Sequence, residues 1–276
     1  MSVIVSSNLV LTADEAALSA DHPIIGWQTI ITASNITFQS TSDANYPESN
    51  LANPATHLAW RAAAASGGYT YFSIATGTAD PLDYVAIARH NLGTIASSVT
   101  VGYFDTSSPP AFVALTPETL LADDGPALFR FTAQSLATNI AVRLGASAVA
   151  PQIAVMFAGK LLVLPRKIYQ GLAPINYARV AKVTNGRSEA GQFLGRIVMQ
   201  EFVKNTIPLS LIGPTYFRDH IAEFLVSSKT NPFFFAWRPG TYPAEIGYCH
   251  MTNDPLPVNE APHGLVAMSM EMTGVV

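Results

Sequence analysis

Charge is scarce in this chain. Charged residues make up 12% of its 276 residues, about half of the roughly 25% usual for soluble domains. A single cysteine, Cys249, excludes an internal disulfide framework and any cysteine-built zinc site. The net charge is −4, and the basic residues are scattered rather than clustered. That pattern excludes the electrostatic footprint of a nucleic-acid binder. Long apolar runs are missing as well. The best candidate, residues 144–159, is interrupted by Pro151 and Gln152, whereas a spanning helix needs about 20 largely apolar residues. No Lys or Arg precedes the first apolar run, and Asp14 and Glu15 follow soon after. This is not the pattern of a secretory signal, so the expectation is a protein made in the cytoplasm and not inserted into a membrane.

Catalytic signatures are absent too. There is no phosphate-binding loop, no Gly-x-Gly-x-x-Gly after a strand and no helical His-Glu-x-x-His. The histidines stand far apart, at 22, 57, 90, 220, 250 and 263. Asp219 and His220 are neighbours within a helical pattern, so their side chains diverge. No nucleophile elbow of the Gly-x-Ser-x-Gly type occurs. Asp123-Asp124 precede Gly125-Pro126 and read as a solvated turn. The expectation is therefore no catalytic residue, no cofactor and no metal.

What is present is apolar sequence in short, alternating pieces. Hydrophobic residues reach 49%. With a membrane set aside, a surface so poor in charge points to obligate assembly, because permanent interfaces are more apolar than free surface. Strands are predicted over 30–38, 69–74, 82–88, 98–104, 111–115, 127–132, 139–144 and 152–157. Turn signals such as Pro109-Pro110 separate them. Strands at such spacing suggest a sandwich or jelly roll. Within 82–88, Leu82, Tyr84 and Ala86 are assigned to one face and Val85 and Ile87 to the other, both buried. Ala-rich residues 13–20 allow a short helix ended by His22-Pro23. After a Pro/Gly-rich connector at 164–174, strands are predicted over 178–184, 192–202, 205–211, 233–237, 245–251 and 265–272. Asn185-Gly186 serves as a hairpin turn. Pro214 and apolar Phe217, Ile221, Phe224 and Leu225 predict one helix over about 214–228. The expected class is mainly β. Residues 1–35 form a segment packing on or pairing with the second module, 36–160 a β-sandwich, and 161–276 a β-rich module carrying the helix.

The stretch from Tyr46 to Leu92 holds the residues that invite a ligand. Trp60 can stack on a sugar and Arg61 can bind hydroxyls or a carboxylate. Equally, Trp60 can cap a sandwich while Arg61 ties down the loop Tyr46-Pro47-Glu48-Ser49-Asn50-Leu51-Ala52-Asn53-Pro54. His90 and Asn91, at a strand end, can likewise satisfy loop backbone groups. Trp60, Arg61, His90 and Asn91 are thus candidates for a ligand site or for a structural clasp.

Tyr46-Pro47, Asn50-Leu51, Trp60-Arg61 and the run Leu82 to Leu92 resemble the discoidin-like, or galactose-binding-like, jelly-roll module of tailed-bacteriophage tail proteins. Gly191 to Arg196, Asn231 to Trp237 and Tyr242 to Glu245 are similar to tail-tip proteins of long-tailed phages. The resemblance implies a distal tail or minor tail protein of the virion. Such a protein forms a homo-oligomeric ring, trimeric or hexameric, between the tail tube and the hub or baseplate. Ring interfaces would account for the low charge. Relatives of the module bind sugars or calcium. No acidic cluster for calcium is evident, and a host-surface glycan is the alternative partner.

Overall fold

The computed structural model describes residues 1–11, 18–77, 80–135, 139–168, 170–260 and 264–275. The chain is mainly β, as expected, and its described strands form three sheets. The first runs Ser2–Val5, Ala127–Gln134, Leu82–His90, Gln152–Gly159, Trp60–Arg61. The second runs Ile36–Phe38, Thr70–Ala75, Asn139–Leu144, Ser98–Phe104, Phe112–Ala114, with Thr119–Leu120 also on Ser98–Phe104. These two pack face to face as a sandwich. The third runs Leu162–Val163, Ile24–Gly26, Phe233–Ala236, Ile246–Met251, Leu265–Val275, Phe193–Ile212, Arg179–Arg187, with Val258–Glu260 beside Leu265–Val275.

The first sheet is the middle layer of the stack. Its central strand Leu82–His90 is buried along almost its whole length. Val85 and Ile87 point into the sandwich core with Trp60, Phe72 and Phe129. Tyr84, Ala86 and Ala88 point the other way, against Phe157, Phe234 and Tyr248. Period-two alternation with both faces apolar is what a sheet covered on both sides requires. Leu82 departs from the assignment made above, because it joins the sandwich core. The register shifts opposite it, between Arg130 and Gln134, and a bulge re-aims a side chain. Asp83 beside it accepts a hydrogen bond from the Leu161 amide at 2.7 Å.

The third sheet repeats this logic. Phe234 and Ala236 face the middle sheet, whereas Phe233 and Phe235 face the helix. Gly26 lies directly over Tyr84, and a Cβ there would come within 2.8 Å of the ring. Only glycine allows that approach. The predicted helix is present over 214–227, with a π turn at Phe217–Ile221 between its two α segments. Ile221 and Phe224 are fully buried against Phe233. In the last strand, Val266, Met268, Met270 and Met272 are buried in alternation, as read from the sequence.

Three further sequence expectations change. Asn185-Gly186 is not a turn. Both residues stay in the strand Arg179–Arg187, and the chain reverses at Ser188–Gln192, with Gly191 at φ +78°. The expected strands 192–202 and 205–211 are one continuous strand, Phe193–Ile212. Asn205 stays in line because its amide bonds the Ala173 carbonyl at 2.5 Å, sideways from the strand. The expected strand over 30–38 shrinks to Ile36–Phe38. The short helix allowed over 13–20 falls mostly outside the described residues. The sequence also left several short strands unread, among them Ser2–Val5, Ile24–Gly26, Thr119–Leu120, Leu162–Val163 and Val258–Glu260. Ser2–Val5 pairs in parallel with Ala127–Gln134, and Ile24–Gly26 pairs with Phe233–Ala236 and Leu162–Val163.

Phe157 sits where the middle and third sheets meet, edge-on to Phe234 at 5.5 Å and to Tyr248 at 6.1 Å. Phe157→Ala is expected to cost about 3–5 kcal/mol. Urea unfolding measures it; a loss below about 1 kcal/mol would mean the layers do not share this core.

Candidate functional site

The four residues singled out in the sequence come together around one strand. Register places Trp60 opposite Ile153 on one side of Gln152–Gly159, and His90 opposite Ile153 on the other. Two strand spacings separate them, about 10 Å. The long loop 46–59 is what carries Trp60 and Arg61 to that edge.

Trp60 has no exposed surface. Its ring stands edge-on to Phe38 at 4.6 Å and to Phe72 at 4.5 Å. Its indole N–H donates to Ser42 Oγ at 3.0 Å, and Ser42 donates in turn to Glu48 at 2.6 Å. A buried indole with its N–H satisfied leaves no face for a sugar to stack on. Arg61 pairs with Asp43 and lies 4.5 Å over the Tyr46 ring. The hydrogen bond from Arg61 holds the Asp43 carboxyl below its ordinary range, and Asn45 N–H adds to it. Within the same loop, Asn50 donates to the Ala59 carbonyl at 2.8 Å.

His90 is buried and its Nδ1 accepts from the Leu92 amide at 3.2 Å. The neutral ring therefore carries its proton on Nε2. Burial pushes its pKa down to about 4, against the opposing pull of Asp124. Asn91 uses both ends of its amide on the neighbouring strand: Nδ2 donates to the Ala150 carbonyl at 3.0 Å and Oδ1 accepts from the Gln152 amide at 2.8 Å. Trp60 and Asn91 spend their polar atoms inside the chain, Arg61 spends one nitrogen on Asp43, and His90 Nε2 is buried with no hydrogen-bond partner among the described residues.

Two groups that the sequence did not reveal are more exposed. On the outer face of the sandwich, the Arg143 guanidinium lies 4.3 Å from the Tyr69 ring and 4.8 Å from the Phe112 ring. Glu118 accepts from Arg143 at 3.1 Å, from Ser98 at 2.6 Å and from the Tyr69 hydroxyl at 3.1 Å. The Ser98 hydrogen bond is foremost in holding the Glu118 carboxyl below its ordinary range. Tyr69 is 51% exposed. A ring backed by a guanidinium and a carboxylate has the donor, acceptor and stacking surface that a polar ring-shaped ligand needs. These residues come from four separate segments, so no local spacing could have flagged them.

The second exposed group is the hairpin of Arg179–Arg187 and the first half of Phe193–Ile212, here called the arm. Its nine paired positions reach about 30 Å. Phe193, Leu194, Ile197, Val198 and Met199 are each between 57% and 69% exposed. No other described element covers them. The sequence showed these residues as an apolar strand but not that they lie bare.

Elsewhere, Trp237 stacks on Tyr242 at 5.4 Å and donates to Glu245. Arg238 grips Asp21 through Nε and Nη2 at 2.9 and 2.8 Å. Burial opposes ionisation of Asp21, but the bonds from Arg238 and Thr241 prevail and hold its pKa low. A groove of about 790 Å³ opens where the sandwich meets the third sheet, between Pro54, His57, Phe202, Tyr248, His250 and Val275. Among the described residues its walls carry no carboxylate, and no group of three or more His, Cys, Asp or Glu is placed to hold a metal ion. No described helix is long and apolar enough to cross a membrane.

No family model and no curated protein matches the chain. Solved structures with partial likeness include chitosan-binding module 1 of a chitosanase/glucanase from Paenibacillus sp. IK-5. It is 15% identical with a TM-score of 0.39, over 48% of this chain and 99% of that one. A Streptococcus pneumoniae fucose binding module is 17% identical with a TM-score of 0.39, over 48% and 95%. The lectin binding domain of Lectinolysin, complexed with Lewis b, is 11% identical with a TM-score of 0.38, over 48% and 96%. At these values the likeness assigns no ligand to this chain.

His90 makes stability depend on pH. Its folded pKa of about 4 lies below the unfolded value of about 6.5. Its contribution is therefore complete above pH 6.5 and is lost as pH falls toward 4. By pH 5 the loss is expected to be about 2 kcal/mol. His90→Asn, which keeps an acceptor near Nδ1, should remove that part of the pH dependence. Urea midpoints of both proteins at pH 7.5 and pH 5 provide the check, and equal slopes would remove His90 as the cause.

Proposed function

We propose that the chain is a non-catalytic building block that works by assembling with other chains, as in a phage tail tip, where it would take the place of a distal tail protein in a ring. The arm carries this reading. A two-stranded hairpin is marginal alone in water, yet this one projects five large apolar side chains into solvent. Covering them would contribute on the order of 10 kcal/mol, the scale needed to offset the roughly 4–15 kcal/mol that association costs. The charge-poor composition supports the same conclusion. So does the position of the tail-like phrases: Gly191 to Arg196 forms the end of the arm, where Gly191 and Gly195 adopt positive φ.

Ile197→Asp combined with Met199→Asp is expected to convert the assembled protein to monomer while leaving its near-UV circular dichroism unchanged. Light scattering and electron microscopy read the outcome. A wild-type protein that stays monomeric at every concentration would overturn the reading.

A second reading is that the sandwich binds carbohydrate on a host surface. The solved structures named above include a chitosan-binding module and a fucose binding module, and none of them is a tail protein. In this chain the exposed Tyr69 beside Arg143 and Glu118 favours it; the buried Trp60 does not. Tyr69→Ala is expected to weaken binding to a surface oligosaccharide at least tenfold, because stacking on an aromatic ring would be lost. Calorimetric titration decides, and binding that is absent or indifferent to Tyr69 removes this reading.

A further inference from the structure

The arm differs from the rest of the chain in charge as well as in exposure. Residues 179–203 contain Arg179, Lys182, Arg187 and Arg196 against Glu189 and Glu201, a net of +2 in a chain whose net is −4. The remainder therefore carries −6. Arg179 is paired with Glu201; Lys182, Arg187 and Arg196 face solvent. What covers the arm must be apolar and acidic together.

One exposed strip of the chain has that character. Val258 and Glu260 occupy alternate positions of the edge strand Val258–Glu260 of the third sheet, and Asp254 and Leu256 lie in the segment that leads into it. Leu256 is 78% exposed and Val258 58%. Leu211 lies beside them, its amide bonded to Glu260 at 3.1 Å, and exposed Glu271 flanks the stretch through its amide bond to Asn253. Asp254 is already paired with Lys229 at 3.0 Å, so Glu260 and Glu271 supply the surplus negative charge. Pro255 and Pro257 remove backbone donors from this edge. It is therefore suited to side-chain docking rather than to adding another strand.

Arm and strip sit at opposite ends of the same strand. Phe193 begins Phe193–Ile212, and Leu211 is near its end; 18 steps along a strand are about 60 Å. The arm cannot reach the strip of its own chain. Two arms placed together would also set basic residues against basic residues, which costs free energy.

We propose that the arm of one copy docks on the 254–260 strip of the next copy, in a head-to-tail contact; this rests on the assembly reading above. A contact of two different faces closes into a ring or continues as a filament, according to the rotation between copies.

Single cysteines test it, since Cys249 is buried and burial raises its thiol pKa to about 12, which keeps it from competing. Met199→Cys and Leu256→Cys proteins are mixed and treated with a short bismaleimide. A cross-linked dimer in the mixture, and in neither protein alone, is expected. Met199→Cys cross-linking to itself, or no cross-link in a protein that still assembles, overturns the docking but leaves the assembly reading standing. A wild-type monomer overturns both. Lys182→Glu with Arg196→Glu should weaken assembly at least tenfold, and adding Glu260→Lys with Glu271→Lys should restore it. Assembly unaffected by the arm reversal also overturns the docking.

Discussion

Burial of one sheet on both faces is the constraint on which the rest of this structure depends. The strands Leu82–His90 and Gln152–Gly159 have almost no exposed side chain. A sheet with two apolar faces needs two covers. One is the outer sheet of the sandwich, through Phe38, Phe72 and Val142. The other is the third sheet, through Ile24, Phe234 and Tyr248. The second cover fixes where the C-terminal half of the chain must lie. It also explains why a short strand near the N-terminus, Ile24–Gly26, is recruited into that half, with Gly26 giving Tyr84 room.

Polar chemistry follows from this packing. Trp60, Arg61, His90 and Asn91 look like ligand-binding residues when taken one at a time. In place, they fasten the loop 46–59 and the strand end at His90 to the first residues of Gln152–Gly159. A buried polar group must find a partner within the fold, and a residue whose donors and acceptors are used in that way has few left for a ligand. Groups free to meet one lie on the outside, at Tyr69 and on the arm.

The arm inverts the usual relation between sequence and burial. Its stretch Phe193 to Met199 carries as much apolar side chain as core strands do, but no described layer of the same chain lies over it. A contiguous exposed apolar patch of this kind is unusual on a monomeric soluble surface. Its charge, opposite in sign to that of the rest of the chain, narrows what the cover can be. The long strand Phe193–Ile212 thus has two roles. One half is the backbone of the third sheet, paired with Leu265–Val275, and the other carries the exposed apolar side chains of the arm outward.

The sequence by itself determined the class and most of the strands. Alternation is a local property, so 70–75, 98–104, 139–144 and 265–275 were legible, and the helix declared itself through Pro214 and a spacing of three and four. Asn185-Gly186 misled because a turn-forming pair says only that a turn is permitted. Tertiary pairing drew the strand past it and placed the turn at Ser188–Gln192. Only the tertiary structure decided which apolar strands are covered and by what. Phe193 to Met199 and Phe233 to Ala236 are both simply apolar in sequence, yet one lies bare and the other is buried on both faces. The physical reason is that hydrophobic periodicity records which side chains avoid water, not whether the surface that shelters them belongs to the same chain.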